Sequence, residues 1–167
     1  PTLLKRGLRI VGSVWDSEEY ELQTLRPATE ESLHLATIIG AGPSGRQLAS
    51  RLETNGHDVC LVDLSPINLH AFAQEGFRTI AGDATLPETL KNAKAEDSDI
   101  VVVCIPEDST ALRVIQTVRG LNQSATLIVR CRFHSNVSKL KRAGADRVVS
   151  EEFTASVALL DTLQSTD

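Results

Sequence analysis

Two rhythms alternate along the chain. Short apolar, β-branched runs read as strands: Thr37-Ile38-Ile39, His57 to Val62 ending on Asp63, Phe77 to Ala81, Asp99 to Ile105, Thr126 to Val129, and Arg147 to Val149. Between them, apolar positions recur at helical spacing. Leu48, Ala49 and Leu52 share one face of a helix closed by Asn55-Gly56. Ser65-Pro66 opens a second helix, with Leu69, Phe72 and Ala73 facing inward and Gly76 ending it. A short helix after Pro87 contains Leu90, and Asp108 to Arg119 places Leu112, Ile115 and Val118 on one side. Val137 to Ala143 is a helix stopped by Gly144, and from Glu151 a last helix lines up Phe153, Val157, Leu160 and Leu163.

Six strands alternating with helices through short loops predict an α/β fold. It is a doubly wound, six-stranded parallel sheet with helices on both faces. Right-handed crossovers set the strand order 3-2-1-4-5-6. The most continuous apolar strand, Asp99 to Ile105, suits a strand covered on both sides.

The first strand breaks at Gly40-Ala41-Gly42-Pro43-Ser44-Gly45, a G-x-G-x-x-G opening the first helix. Gly40 allows the tight turn, Gly42 lets a phosphate approach the backbone, and Gly45 lets the helix pack close to the strand. Free amides and the helix dipole then favour an anion. Asp63, 23 residues after Gly40, stands where a carboxylate accepts hydrogen bonds from ribose hydroxyls. Together these features define a nucleotide-binding Rossmann unit. The ligand is expected across the carboxyl ends of strands one and four, where the order reverses. That gathers Gly42, Asp63, Asp83, Cys104-Ile105 and Arg130 around one cleft. An acidic Asp63 disfavours a 2′-phosphate and hence NADP. Pro43 supplies no amide hydrogen, although it suits a first helical turn.

Composition narrows the remaining possibilities. The 167 residues suffice for one domain with a real core, and the apolar and charged fractions are those of a soluble protein. With net charge −5 and no basic tract, nucleic acid is a poor partner. Cys60, Cys104 and Cys131 lack metal-ligand spacing and read as reduced, intracellular thiols. No apolar run approaches the roughly 18 residues of a membrane span, and no signal peptide is recognisable. The chain begins at Pro1 and contains no methionine, which leads us to expect a fragment of something longer. Residues 1–35 differ from the rest: cationic Lys5, Arg6 and Arg9, then acidic Asp16, Glu18, Glu19 and Glu21. They read as a linker or N-terminal extension to a domain over residues 36–167, with Leu8 to Trp15 a possible docked element and Thr29 a helix cap.

With these residues in place, residues 36–163 resemble the RCK or KTN family (TrkA-N domains), regulators of potassium channels and cation:proton antiporters. The resemblance rests on GAGPSG, on Asp63 ending strand two, on Gly82-Asp83-Ala84-Thr85, on the Val101 to Pro106 strand end, on Arg130-Cys131-Arg132, and on Ala143-Gly144-Ala145-Asp146. The K-R-A-G-A-D-x-V-V pattern looks most like domains tethered to antiporters of the Kef type. The resemblance implies a regulatory domain at the cytoplasmic face of the cell membrane. Its partner would be a transporter or channel domain in the same or a separate chain, and it would pair as a homodimer. Its ligand would be NAD(H) or an adenine nucleotide (AMP, ADP or ATP). Carried over by motif, Gly40, Gly42, Pro43, Ser44 and Gly45 would form the phosphate loop, and Asp63-Leu64 would hold the adenosine ribose. Asp83-Ala84 would border the adenine, Cys104, Ile105 and Pro106 would lie beside the distal part of the ligand, and Arg130 would meet a phosphate or form a rim salt bridge. No second RCK lobe follows Thr166-Asp167 in this sequence, so ligands of that lobe are not expected.

An NAD-dependent oxidoreductase fragment is the alternative reading. It would need an acid/base near the nicotinamide. The single tyrosine, Tyr20, precedes the domain, and His134 after strand five is the remaining candidate, more readily a surface residue. A ligand-free scaffold is the third reading. No catalytic or metal-binding residue is expected.

Overall fold

The computed structural model describes residues 34–165. The expected linker, the Leu8 to Trp15 element, the Thr29 cap and Tyr20 lie outside the described residues.

Six strands form one parallel sheet in the order β3-β2-β1-β4-β5-β6. They are β1 (Leu35–Ile39), β2 (Asp58–Asp63), β3 (Arg78–Ala81), β4 (Ile100–Val103), β5 (Thr126–Cys131) and β6 (Arg147–Ser150). The helices between them are α1 (Pro43–Thr54), α2 (Pro66–Gln74), α3 (Pro87–Asn92), α4 (Asp108–Leu121) and α5 (Val137–Arg142), and α6 (Glu151–Gln164) follows β6. The doubly wound topology and strand order are those expected from the sequence. β1 begins at Leu35, so the strand extends into the stretch assigned to the extension.

Period-two alternation divides the core between the faces of the sheet. Ala36, Ile38, Val59, Leu61 and Val102 pack with Ala49 of α1 and with Leu69 and Phe72 of α2. Ile39, Val62, Val101, Val103, Leu127 and Val129 pack with Leu90 of α3, with Val114, Ile115 and Val118 of α4, and with Leu140 of α5.

The helix faces depart from the sequence reading at two places. In α1 the buried strip is Gly45 and Ala49 with half-buried Leu52, and Leu48 is exposed. In α2, Leu69 and Phe72 are buried but Ala73 is exposed. The strip a helix buries against a sheet is limited in width, so positions at its margin turn toward solvent.

The last helix differs from the others. α6 has no buried residue; Phe153, Val157, Leu159, Leu160 and Leu163 are between 40% and 68% exposed. Beside it, the face of β5 and β6 that carries Ile128 and Val149 is incompletely covered, with Val149 exposed.

Staples fix the far side of the sheet. Arg119 of α4 donates to the carbonyls of Gly144, Asn122 and Ala125 and pairs with Asp146 at 2.8 Å. Asp146 in turn accepts from the Leu127 amide at 2.7 Å. The A-G-A-D stretch is therefore held by one arginine from the neighbouring helix.

Candidate functional site at the carboxyl edge of the sheet

At the end of β1 the chain turns at Gly40, where φ is +106° and an added Cβ would lie 3.0 Å from the carbonyl carbon and oxygen of Cys104. A side chain there would be strained and crowded at once. Gly42 is the N-cap of α1, with extended backbone and no heavy atom within 4 Å of an added Cβ. Gly45 differs: a Cβ there would stand 2.1 Å from the Gly40 carbonyl oxygen. The three glycines thus serve turn, open approach and close packing, the division of labour expected from the motif.

Pro43 is the first residue of α1 and brings no donor. The N-cap glycine supplies no capping side chain, so the amides of Ser44 and Gly45 in the first turn are left for an external acceptor. Ser44 and Gly42 are exposed on this turn.

Asp63, half-buried at the end of β2, is engaged by the protein itself. One carboxylate oxygen accepts from the Ala41 amide at 2.9 Å. The other accepts from the Ser65 amide at 2.8 Å and from Asn68 Nδ2 at 3.1 Å. Its carbonyl accepts from the Gly82 amide at 2.9 Å. The carboxylate therefore ties the glycine loop to β2, and its remaining acceptor capacity is what a ribose hydroxyl could use. Asn68 is a site residue that the sequence reading missed; a polar residue one turn into the following helix is the available signal.

Next along the edge, Asp83 is exposed and one of its oxygens accepts from the Thr85 hydroxyl at 2.7 Å and amide at 2.8 Å. Those two bonds hold its carboxyl below the usual carboxylate range. Leu64 is 75% exposed beside Asp63. The side chains of Ala84 and Cys104 are buried in the two core clusters. Cys104 contributes its carbonyl, which accepts from Arg130 Nη1 at 3.4 Å. Burial pushes its thiol up, the nearby Arg130 opposing. Ile105 is half-buried and Pro106 exposed beyond it.

Arg130 of β5 closes the series. Its Nε donates to Glu151, the first residue of α6. The hydrogen bond to Glu151 raises the arginine further, burial working against it. Glu151 also escaped the sequence reading, because only the β5–β6 pairing brings it to Arg130. A second carboxylate organises the rim: Asp108, at the start of α4, accepts from the amides of Arg132 and Phe133 and from Asn136 Nδ2 at 2.6 Å. Burial pushes Asp108 up, but these donors together outweigh it and hold the carboxyl below its ordinary value. His134 stacks on Phe153 of α6 with ring centroids 5.0 Å apart.

The edge is thus continuous from Asp83 through Asp63 and the glycine loop to Cys104 and Arg130, as the topology predicts. A groove of about 600 Å³ is lined by Thr85, Pro87 and the Arg113 to Leu121 part of α4; the glycine loop is not among its walls. Among the described residues no cluster of three or more histidine, cysteine or acidic side chains is placed to hold a metal ion. No helix among them is long and apolar enough to cross a membrane.

Comparison with known proteins agrees with this fold. The putative cation/proton antiporter YbaL of Escherichia coli K12 is 24% identical over 156 residues, which is 89% of this chain and 28% of YbaL. The glutathione-regulated potassium-efflux protein KefC of Escherichia coli O139:H28 is 23% identical over 84% of this chain and 23% of KefC. The chain therefore spans less than a third of the length of these relatives. Among solved structures, the TrkA-N domain of Escherichia coli YbaL superposes with TM-score 0.75 at 22% identity, covering 80% of this chain and 98% of that one. The AMP-bound Kef C-terminal domain of Shewanella denitrificans gives 0.68 at 22% identity, over 80% and 81%. The NAD-bound GsuK channel gives 0.63 at 23% identity, over 88% and 24%. The TrkA-N domain family model matches residues 36–151, and the chain belongs to that family.

Proposed function

We propose that this chain is a nucleotide-binding regulatory domain of a membrane transporter or channel for potassium or another monovalent cation, working at the cytoplasmic face of the membrane and without catalysis of its own. The observation that carries this reading is the glycine loop. Its Gly42 is open, its first-turn amides are uncapped, and its shape is held by Asp63. A phosphate fits that arrangement without displacing a side chain. Relatives bind AMP, in the Kef domain, and NAD, in GsuK, which supports NAD(H) or an adenine nucleotide as the ligand class. Resemblance to KefC and YbaL supports the coupling to cation transport.

The oxidoreductase reading gains no support. Its candidate proton carrier, His134, stacks on a helix side chain at the rim. We further propose a homodimer formed through α6, because its exposed stripe and the exposed Val149 beside it are apolar surface that a second copy can cover.

Thermal unfolding of the chain with NAD⁺, NADH, NADP⁺, AMP, ADP and ATP tests the ligand assignment. A nucleotide at 100 times its dissociation constant, binding only the folded state, adds about 2.7 kcal/mol. Stabilisation by one of them, absent in Gly42→Ala, supports the reading. No shift with any of the six overturns it. Asp63→Ala is the poorer variant, since it also unties the loop.

A further inference from the structure

We propose that Arg130 is shared between the crevice and α6, so that a nucleotide phosphate and Glu151 compete for one guanidinium. This rests on the reading of the crevice as a nucleotide site. Arg130 sits on the crevice edge, with Nη1 on the Cys104 carbonyl and Nε on Glu151. A phosphate seated on the glycine loop carries more charge than a carboxylate and offers a guanidinium paired acceptors. Glu151 yields the arginine to it.

The consequence falls on a helix that is held lightly. α6 buries no residue, and its first turn anchors it. The Glu152 carboxylate accepts from the His134 amide at 2.9 Å, the Glu152 amide donates to the Arg132 carbonyl at 3.4 Å, and Phe153 stacks on His134. The Arg130–Glu151 pair is the tie that links this turn to the crevice. Without it Glu151 and Glu152 still complement the dipole at the helix start and Ser150 still caps Phe153. The helix therefore persists but is freed to move relative to the sheet. Ligand occupancy reaches the apolar stripe through one side chain, and by linkage the position of α6 sets phosphate affinity in return.

The test uses the full 167-residue chain, calorimetric titration with AMP, ADP and adenosine, and hydrogen exchange of the α6 amides. Glu151→Gln removes the competitor, so AMP and ADP bind about threefold more tightly, the scale of a half-buried ion pair. Adenosine, lacking phosphate, binds as in the unaltered chain. Arg130→Met weakens AMP and ADP but not adenosine. AMP speeds exchange at residues 153–157 in the unaltered chain and has no effect there in Arg130→Met. If AMP binds but Glu151→Gln leaves its affinity unchanged, or exchange at α6 ignores AMP, the coupling is wrong while the nucleotide site stands. If neither AMP nor ADP binds the unaltered chain, both fall together.

Discussion

Gly42 and Gly45 stand three residues apart in one motif, and the structure assigns them separable duties. An alanine at 45 would put its Cβ 2.1 Å from the Gly40 carbonyl oxygen, with Ile38 Cγ2 behind it at 3.5 Å. Ordinary contact begins near 3.4 Å, so α1 must move off β1 by more than about 1 Å. The obstacle is backbone, which cannot rotate away, so the cost lies at the top of the overpacking range, about 3 kcal/mol. For a domain of this size that lowers the melting temperature by about 12 °C. An alanine at 42 meets nothing within 4 Å and keeps a φ of −76°. Its stability should stay within about 0.5 kcal/mol of the parent. The added methyl nevertheless stands where a phosphate approaches, and we expect AMP affinity to fall at least about tenfold, or 1.4 kcal/mol. Circular dichroism melts and calorimetric titration of the two variants separate the effects. Gly42→Ala that binds AMP like the parent would refute the phosphate loop. Gly45→Ala that melts like the parent would refute the packing.

Three further outcomes are expected. Acid should unfold the domain through Asp108 and Asp146, both held below their ordinary values, Asp146 first by the Leu127 amide and then, against some desolvation, by Arg119. A depressed carboxyl stabilises fully above its unfolded value near pH 4 and loses that contribution as pH falls through the lower folded value. Asp108→Asn should therefore flatten the acid limb of a stability-versus-pH curve, and an unchanged limb would contradict the assignment. The three cysteines should resist alkylation in the native state at pH 7.5, since all are buried and Cys131 is pushed up to about 11, by burial first and then by Asp108; mass spectrometry showing rapid single labelling would count against this. Leu160→Asp should leave the melting temperature within about 2 °C of the parent, because the side chain is already exposed, while sedimentation shifts from dimer to monomer. A parent chain that sediments as monomer at micromolar concentration removes the dimer.

The centre of the sheet was legible in the sequence because β1, β2 and β4 are buried on both sides. Such strands must be continuous β-branched runs, and Ile38-Ile39 and Val101 to Val103 cannot be much else. Strand order followed from crossover handedness, and the glycine loop from its spacing. What escaped was decided by contacts between distant segments. Leu48 looked inward by period, but α1 approaches β1 so closely through Gly45 and Ala49 that the strip shifts one residue away from it. Asp63 ends β2 as expected, yet its hydrogen bonds to Ala41, Ser65 and Asn68 depend on how two loops meet. Glu151 pairs with Arg130 only because β6 lies beside β5. The stripe on α6 was visible, but periodicity cannot say whether an apolar face meets its own sheet. Here it does not.

These partners bear on ligand choice. The donors offered to a phosphate at the glycine loop are backbone amides, fixed by the turn at Gly40 and by the Asp63 carboxylate that accepts from Ala41. Amides so placed cost nothing to reorganise, but they recognise a phosphate as such and not what lies beyond it. AMP, ADP and NAD⁺ offer this loop the same group. On the proposed reading Asp63 faces the ribose and can reject a 2′-phosphate, but all three nucleotides share that ribose as well. Discrimination among them must therefore come from the far end of the crevice, where they differ in length and charge. On that side of the crevice Arg130 stands paired with Glu151. AMP offers Arg130 a phosphate monoester of nearly two negative charges, whereas NAD⁺ offers it phosphodiesters of one charge each and then a nicotinamide ring that is itself positively charged. On this argument AMP and NAD⁺ can bind with similar affinity and still leave α6 in different positions, which makes the helix, and not occupancy alone, the quantity to measure.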